Sequence, residues 1–166
     1  MSDSTARLGL PLLAAGQAQK ELWHNEALAL VDLAVAPAVL GLEVDAPPAD
    51  PMPGDAWVVG AAPGGAWAGQ AGALAGWTGG GWRFVAPVEG LSIWLVAEKL
   101  HACYLDGRWI RGEVRTRRVL VDGLPVLGPR GPAIPAPAGG TTVDAEARGT
   151  LERVLEALRA HGLIAP

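Results

Sequence analysis

The sequence predicts an α+β fold: an N-terminal helix, a small antiparallel β barrel or sandwich built from Gly-turn hairpins, a proline-rich tether and a C-terminal amphipathic helix. Three observations carry this. Apolar residues recur at three- and four-residue spacing towards both ends of the chain. Short runs of β-branched and aromatic residues fill the middle, and Gly, Pro and Asp-Gly punctuate those runs. With 166 residues, half of them apolar and many of those Ala, the chain has large side chains for one compact core.

In chain order, residues 1–15 read as an arm that ends in a leucine patch, Leu8, Leu10, Leu12 and Leu13, broken by Gly9 and Pro11. From about Gln17 to Val35 the spacing of Leu22/Trp23, Glu26/Ala27, Leu30/Val31 and Ala34 predicts a helix that Pro37 stops. Arm and helix together make a segment 1–40. Residues 41–127 form the β body. It begins with "DAPPADPMPGD" (45–55), too rich in Pro for either regular state and hence an ordered loop or linker. "AWVVG", "WRFVA", "IWLVAE", "HACYL" and "RRVLV" then read as strands, with Gly79–Gly81, Asp106-Gly107 and Asp122-Gly123 supplying positive φ for tight turns. "RVLVDGLPVLG" reads as a two-stranded ribbon in which Pro125 favours an edge. Residues 128–140 form a stiff Pro/Gly linker. The segment 141–166 carries a helix from Val143 to His161 that Thr142 or Asp144 can cap and Gly162 ends. Its stripe of Leu151, Val154, Leu155 and Leu158 is a candidate oligomer surface, buried either on a neighbouring subunit or back on its own chain.

Seven Trp in a chain with one Phe and one Tyr pose a choice. Trp77/Trp82 and Tyr104/Trp109 flank turns at the spacing of cross-strand pairs, which makes them scaffold, with Trp57, Trp67 and Trp94 filling the body. Alternatively, rings beside glycines can stack on a sugar, with Trp67 and Trp77 as candidates, although few carboxylates or amides accompany them.

Catalytic and metal chemistry finds little support. His24, His101 and His161 fall in three different elements, and Cys103 is alone, which excludes a disulfide framework or a cysteine metal cluster. His101 and Cys103 share a strand face, but no third group orients them. Glu89, Glu98, Asp106 and Glu113 read as surface acids beside turns. No nucleotide-binding or hydrolase motif occurs. The expectation is a protein that is no enzyme and holds no metal or cofactor. A net charge of −4 argues against nucleic acid and anionic membranes. The arginines of "RWIRGEVRTRR", Arg108, Arg111, Arg115, Arg117 and Arg118, instead suit an acidic protein surface. No stretch is apolar enough to span a membrane, and the N-terminus does not read as a signal peptide.

"PLLAAGQAQKELWHNEALALVD" (11–32), the Trp-rich stretch 47–95 and "AGGTTVDAEARGTLERVLEALRAHGLI" (138–164) resemble a domain family of uncharacterised function. That family occurs in tail-fibre and head-spike proteins of alphaproteobacterial prophages and gene transfer agents. Its strongest signature here runs from Gly16 to Leu28, with Asn25 inside it. The resemblance implies a virion structural protein; the leucine patch and the arginine-rich edge, read from the residues themselves, make Leu8, Leu10, Leu12, Leu13, Arg115, Arg117 and Arg118 its candidate docking residues. Its implied partners are a capsid or tail protein, a spike or fibre protein, and further copies of itself in a cyclic homo-oligomer, pentameric at a capsid vertex or trimeric in a fibre. The short chain looks most like the base of a head spike, assembled in the bacterial cytoplasm and released by lysis. The alternative is a carbohydrate-binding module acting on host capsular polysaccharide.

Overall fold

The computed structural model describes residues 4–14, 16, 20–35 and 37–166. The chain divides into two compact units, Met1–Glu113 and Val114–Pro166. The first contains α1 (Lys20–Val35), β1 (Ala38–Val39), β2 (Gly41–Val44), β3 (Ala56–Val59), β4 (Leu74–Thr78), β5 (Gly81–Val85), β6 (Ser92–Leu95), β7 (Leu100–Leu105) and β8 (Arg108–Arg111). These strands form two four-stranded sheets, ordered β1-β6-β7-β8 and β2-β3-β4-β5. The fold is α+β, and neither sheet closes into a barrel.

Consecutive hairpins make most of the ladders, whereas β1–β6 and β2–β3 run parallel. The turns follow local chemistry. Asp106 and Gly107 both take positive φ, 53° and 77°, the pair a tight two-residue hairpin needs. The glycine turn 79–81 departs from expectation, because among its three residues only Gly81 has positive φ. There the Thr78 hydroxyl closes the turn, accepting from Gly80 N at 3.1 Å and donating to Gly81 O at 2.8 Å.

The main core lies where side chains of the two sheets meet one another and α1: Leu33, Val39, Val58, Leu74, Ile93 and Leu95 are all buried. Each such side chain contributes about 1.5–3 kcal/mol of burial. Leu33 sits against Gly76, where an added Cβ would lie 2.7 Å from the Leu33 Cδ1. Glycine in mid-strand is therefore the socket for the helix. Trp109 of β8 ties its sheet to the loop that leads into β4 by donating its indole N–H to Gly72 O at 2.9 Å.

Strand alternation sends Trp57, Ala75, Trp77, Trp82 and Phe84 to the other face of β2-β3-β4-β5. That face is covered by residues 61–73, whose 3₁₀ turn Gly65–Trp67 inserts Trp67 to complete burial. Trp67 touches Trp57 and Trp82 edge-on or tilted, with centroids 6.2 and 5.1 Å away, and Trp82 reaches Trp77 at 4.9 Å. This sheet is covered on both sides, the second face only partly at Trp57, Trp77, Trp82 and Phe84, which accounts for four of the tryptophans.

The second unit holds β9 (Val119–Val121), β10 (Leu124–Leu127) and α2 (Ala145–Ala160). The ribbon forms as expected around Asp122 and Gly123, but it groups with this unit rather than with the β body. Asp144 is the α2 cap, accepting from Ala147 N at 2.9 Å, and Gly162 ends the helix at φ 71°. The proline segment is no free tether. Arg130 Nε donates to Ile164 O, Arg159 Nη2 to Ile134 O, and Arg148 Nη2 to Gly139 O. Three arginines thus stitch the linker to α2 and the turn beyond it. Leu155 is buried and Leu158 half-buried, while Leu151 and Val154 remain exposed.

Candidate functional site

The first unit's distinctive chemistry is the clamp that α1 places on the arm. Asp32, 5% exposed, accepts from Thr5 Oγ1 at 2.7 Å, Leu8 N at 2.7 Å and Arg7 N at 3.1 Å. One and a half to two turns earlier on the same side, Asn25 meets Leu13 as a strand would, accepting from its N–H at 2.9 Å and donating to its carbonyl at 3.0 Å. Arg7 completes the fastening by donating to Gly54 O and Ala38 O, at 2.9 and 3.1 Å. Burial pulls its guanidinium below the ordinary value, while Asp32 and Asp55 pull the other way. Glu26 binds Arg83 of β5 at 2.6 Å and pins the other flank of α1 to the sheet.

Two hollows result. A cleft of about 560 Å³ lies between arm, α1 and the β4–β5 turn, lined by Arg7, Leu12, Asn25, Ala29, Asp55 and Arg83 among others. A shallower one, about 370 Å³, brings Leu8 of the arm beside Leu40 and Val96. Leu8, Leu40 and Val96 are 42%, 47% and 43% exposed. They form an apolar surface that a strand reading of the middle segment does not reveal, because β1 and β2 are too short to show in the sequence.

The sequence candidates are scattered differently from expectation. Leu8 is exposed, whereas Leu10, Leu12 and Leu13 are half-buried under the clamp, so the four do not make one exposed patch. The arginine run is divided. Arg108 and Arg111 belong to β8, where Arg111 lies 3.5 Å from Glu98, while Arg115, Arg117 and Arg118 are exposed in the second unit. Trp67 is fully buried, which removes it as a sugar platform: the 3₁₀ turn drives it into the sheet. Trp77 is half-buried, with its ring against Trp82 and its carbonyl accepting from Gly54 N. The exposed rings are Trp23, 82% accessible on α1, and Trp94, which does not fill the body as expected: β6 turns Ile93 and Leu95 inward and leaves the Trp94 ring outside, edge-on to His101 at 4.8 Å. Cys103 and His101 do share one face of β7. Among the described residues, no group of three or more His, Cys, Asp or Glu could hold a metal ion, and no helix is long and apolar enough to cross a membrane.

Sequence reasoning passed over Asp32. Its signal was present, an acid inside the apolar run "ALALVDLAV", since an unpartnered carboxylate does not survive there.

Residues 24–110 match the family model described as "Protein of unknown function (DUF2793)". The chain belongs to this family. The DUF2793 match takes in most of α1, all of β1 to β7 and most of β8, so both cores lie inside it. No curated protein matches the chain. The arm lies before the matched region, but Asn25 and Asp32, which hold it, lie within.

Proposed function

We propose that this DUF2793 protein is a virion structural component: the base or adaptor of a head spike or tail fibre on a phage-like gene transfer agent particle, carrying a host-binding fibre. The observation that carries this reading is the clamped arm. Three backbone N–H groups of the arm, at Arg7, Leu8 and Leu13, are held by two side chains of α1. Polar residues are spent on fixing a segment whose outer side chain, Leu8, joins Leu40 and Val96 in an exposed apolar surface. A rigidly presented apolar surface suits docking on a capsid or tail protein, since little order has to be imposed on binding. The exposed leucines and arginines of the second unit suit contacts with a spike or fibre protein and with further copies of this chain. The resemblance of residues 11–32, 47–95 and 138–164 to prophage and gene-transfer-agent proteins supports the particle context.

Stacking on host polysaccharide is the weaker reading, because Trp67 is closed off in a core and the Trp77 ring is engaged with Trp82. The test is quantitative mass spectrometry of gradient-purified particles, with copy number referenced to the major capsid protein. A fixed low copy number, in multiples of five or three, is expected, and Leu8→Asp lowers it while leaving the fold intact. Absence of the protein from particles would overturn the reading.

A further inference from the structure

The ribbon β9–β10 is apolar on the outside. Of its residues, Val119, Leu120, Val121, Leu124, Val126 and Leu127 are between 40% and 70% exposed. Cross-strand partners share a face, so Val121/Leu124 and Val119/Leu127 build one aliphatic face, with Leu120 and Pro125 on the other. A two-stranded ribbon is at best marginally stable in water, and one that exposes aliphatic side chains gains nothing from solvent. Its charges are confined to the ends: Arg117 and Arg118 at the open end, Asp122 at the turn.

That distribution selects the occupant. We infer that the aliphatic face of the ribbon packs on the same face of a second copy of this chain, end for end about a two-fold axis. In that orientation each Asp122 meets the partner copy's Arg117 and Arg118, twice by symmetry. Stacking in the same direction would bring the four arginines together and leave the aspartates together. An acidic or basic foreign surface would suit one end of the ribbon and repel the other. The patch covers a few hundred Å², less than the roughly 1,000 Å² of a stable stand-alone interface, so the pairing is reversible and depends on concentration. A two-fold contact forms a dimer, or joins two larger rings, and it stands on the second unit alone whatever particle the protein serves.

The experiment is sedimentation velocity of the full chain over a concentration series. A reversible monomer–dimer equilibrium is expected. Leu124→Asp, at a residue 70% exposed and outside any core, weakens it by about tenfold or more, since a carboxylate must then be desolvated against the aliphatic side chains at the open end of the partner copy's ribbon. The charge pattern is read separately. R117E/R118E alone and Asp122→Lys alone each lose the dimer, and mixing the two restores a heterodimer, because both end contacts are again of opposite sign. Circular dichroism of each variant before mixing separates loss of pairing from loss of fold, and Asp122→Asn, which suits the positive φ of the turn, replaces Asp122→Lys as a weaker variant if the latter misfolds. A chain that stays monomeric into the millimolar range would overturn the inference. So would an oligomer of any size indifferent to Leu124→Asp and to the charge variants.

Discussion

Two tryptophans with opposite roles make the residue-scale case. Trp67 is fully buried, and its indole N–H meets no acceptor among the described residues, so its whole contribution is volume and ring contact. Trp109 is half-buried, yet its N–H reaches from β8 to Gly72 O in the loop before β4. Trp67→Ala is expected to cost about 3–5 kcal/mol, whereas Trp67→Phe costs much less because a ring still fills most of the site. Trp109→Phe adds to its lost area about 1 kcal/mol for the hydrogen bond to Gly72. Urea midpoints with unchanged m-values measure both. A Trp67→Ala variant as stable as the parent would reopen the ring as a surface group. The aromatic pairs Trp77/Trp82 and Tyr104/Trp109 were legible, because the turn residues between them fix the register. The burial of Trp67 belonged to the same scaffold reading, but its route did not: nothing in "PGGAWAG" says that a 3₁₀ turn will fold over a sheet formed by residues on both sides of it.

At the scale of elements, α1 is the informative case. Its spacing identified a helix, but its faces are not divided in the ordinary way. Asn25, Glu26 and Asp32 point at the arm or the sheet, while Trp23, Val31 and Val35 are exposed. Helical periodicity detects where apolar residues recur; it does not say which side the rest of the chain will occupy. The decisive contact is Leu33 on Gly76, a long-range fit between one large and one absent side chain. Asp32→Ala removes the acceptor of two backbone N–H groups and a hydroxyl, and is expected to destabilise the first unit by about 2–3 kcal/mol. Amide exchange at Arg7 and Leu8 should accelerate far more than in the strands, because the arm detaches before the core opens. Equal acceleration everywhere would mean that the clamp is part of the global core.

For the whole molecule, the buried residues draw the boundary. Both core clusters lie within Met1–Glu113, and of the buried apolar residues only Leu155 and Ile164 belong to Val114–Pro166. A chain ending at Glu113 is therefore expected to melt cooperatively near the temperature of the full-length main transition; a molten product would show that the second unit completes the first. This division was only partly readable. The proline run signalled a change of regime, but the break falls earlier, before the ribbon, since a hairpin's own pattern looks the same whether or not it joins a body. The parallel pairing of β1 with β6 carries a further consequence. Ala38 registers with Trp94, so this ladder encloses the entire β2-β3-β4-β5 sheet within one chain loop. Hairpins can zip locally, but this join waits until the enclosed sheet has brought its ends together. Weakening Val39 or Leu95 should accordingly hasten unfolding while leaving the refolding rate nearly unchanged, the kinetic mark of a seam closed last.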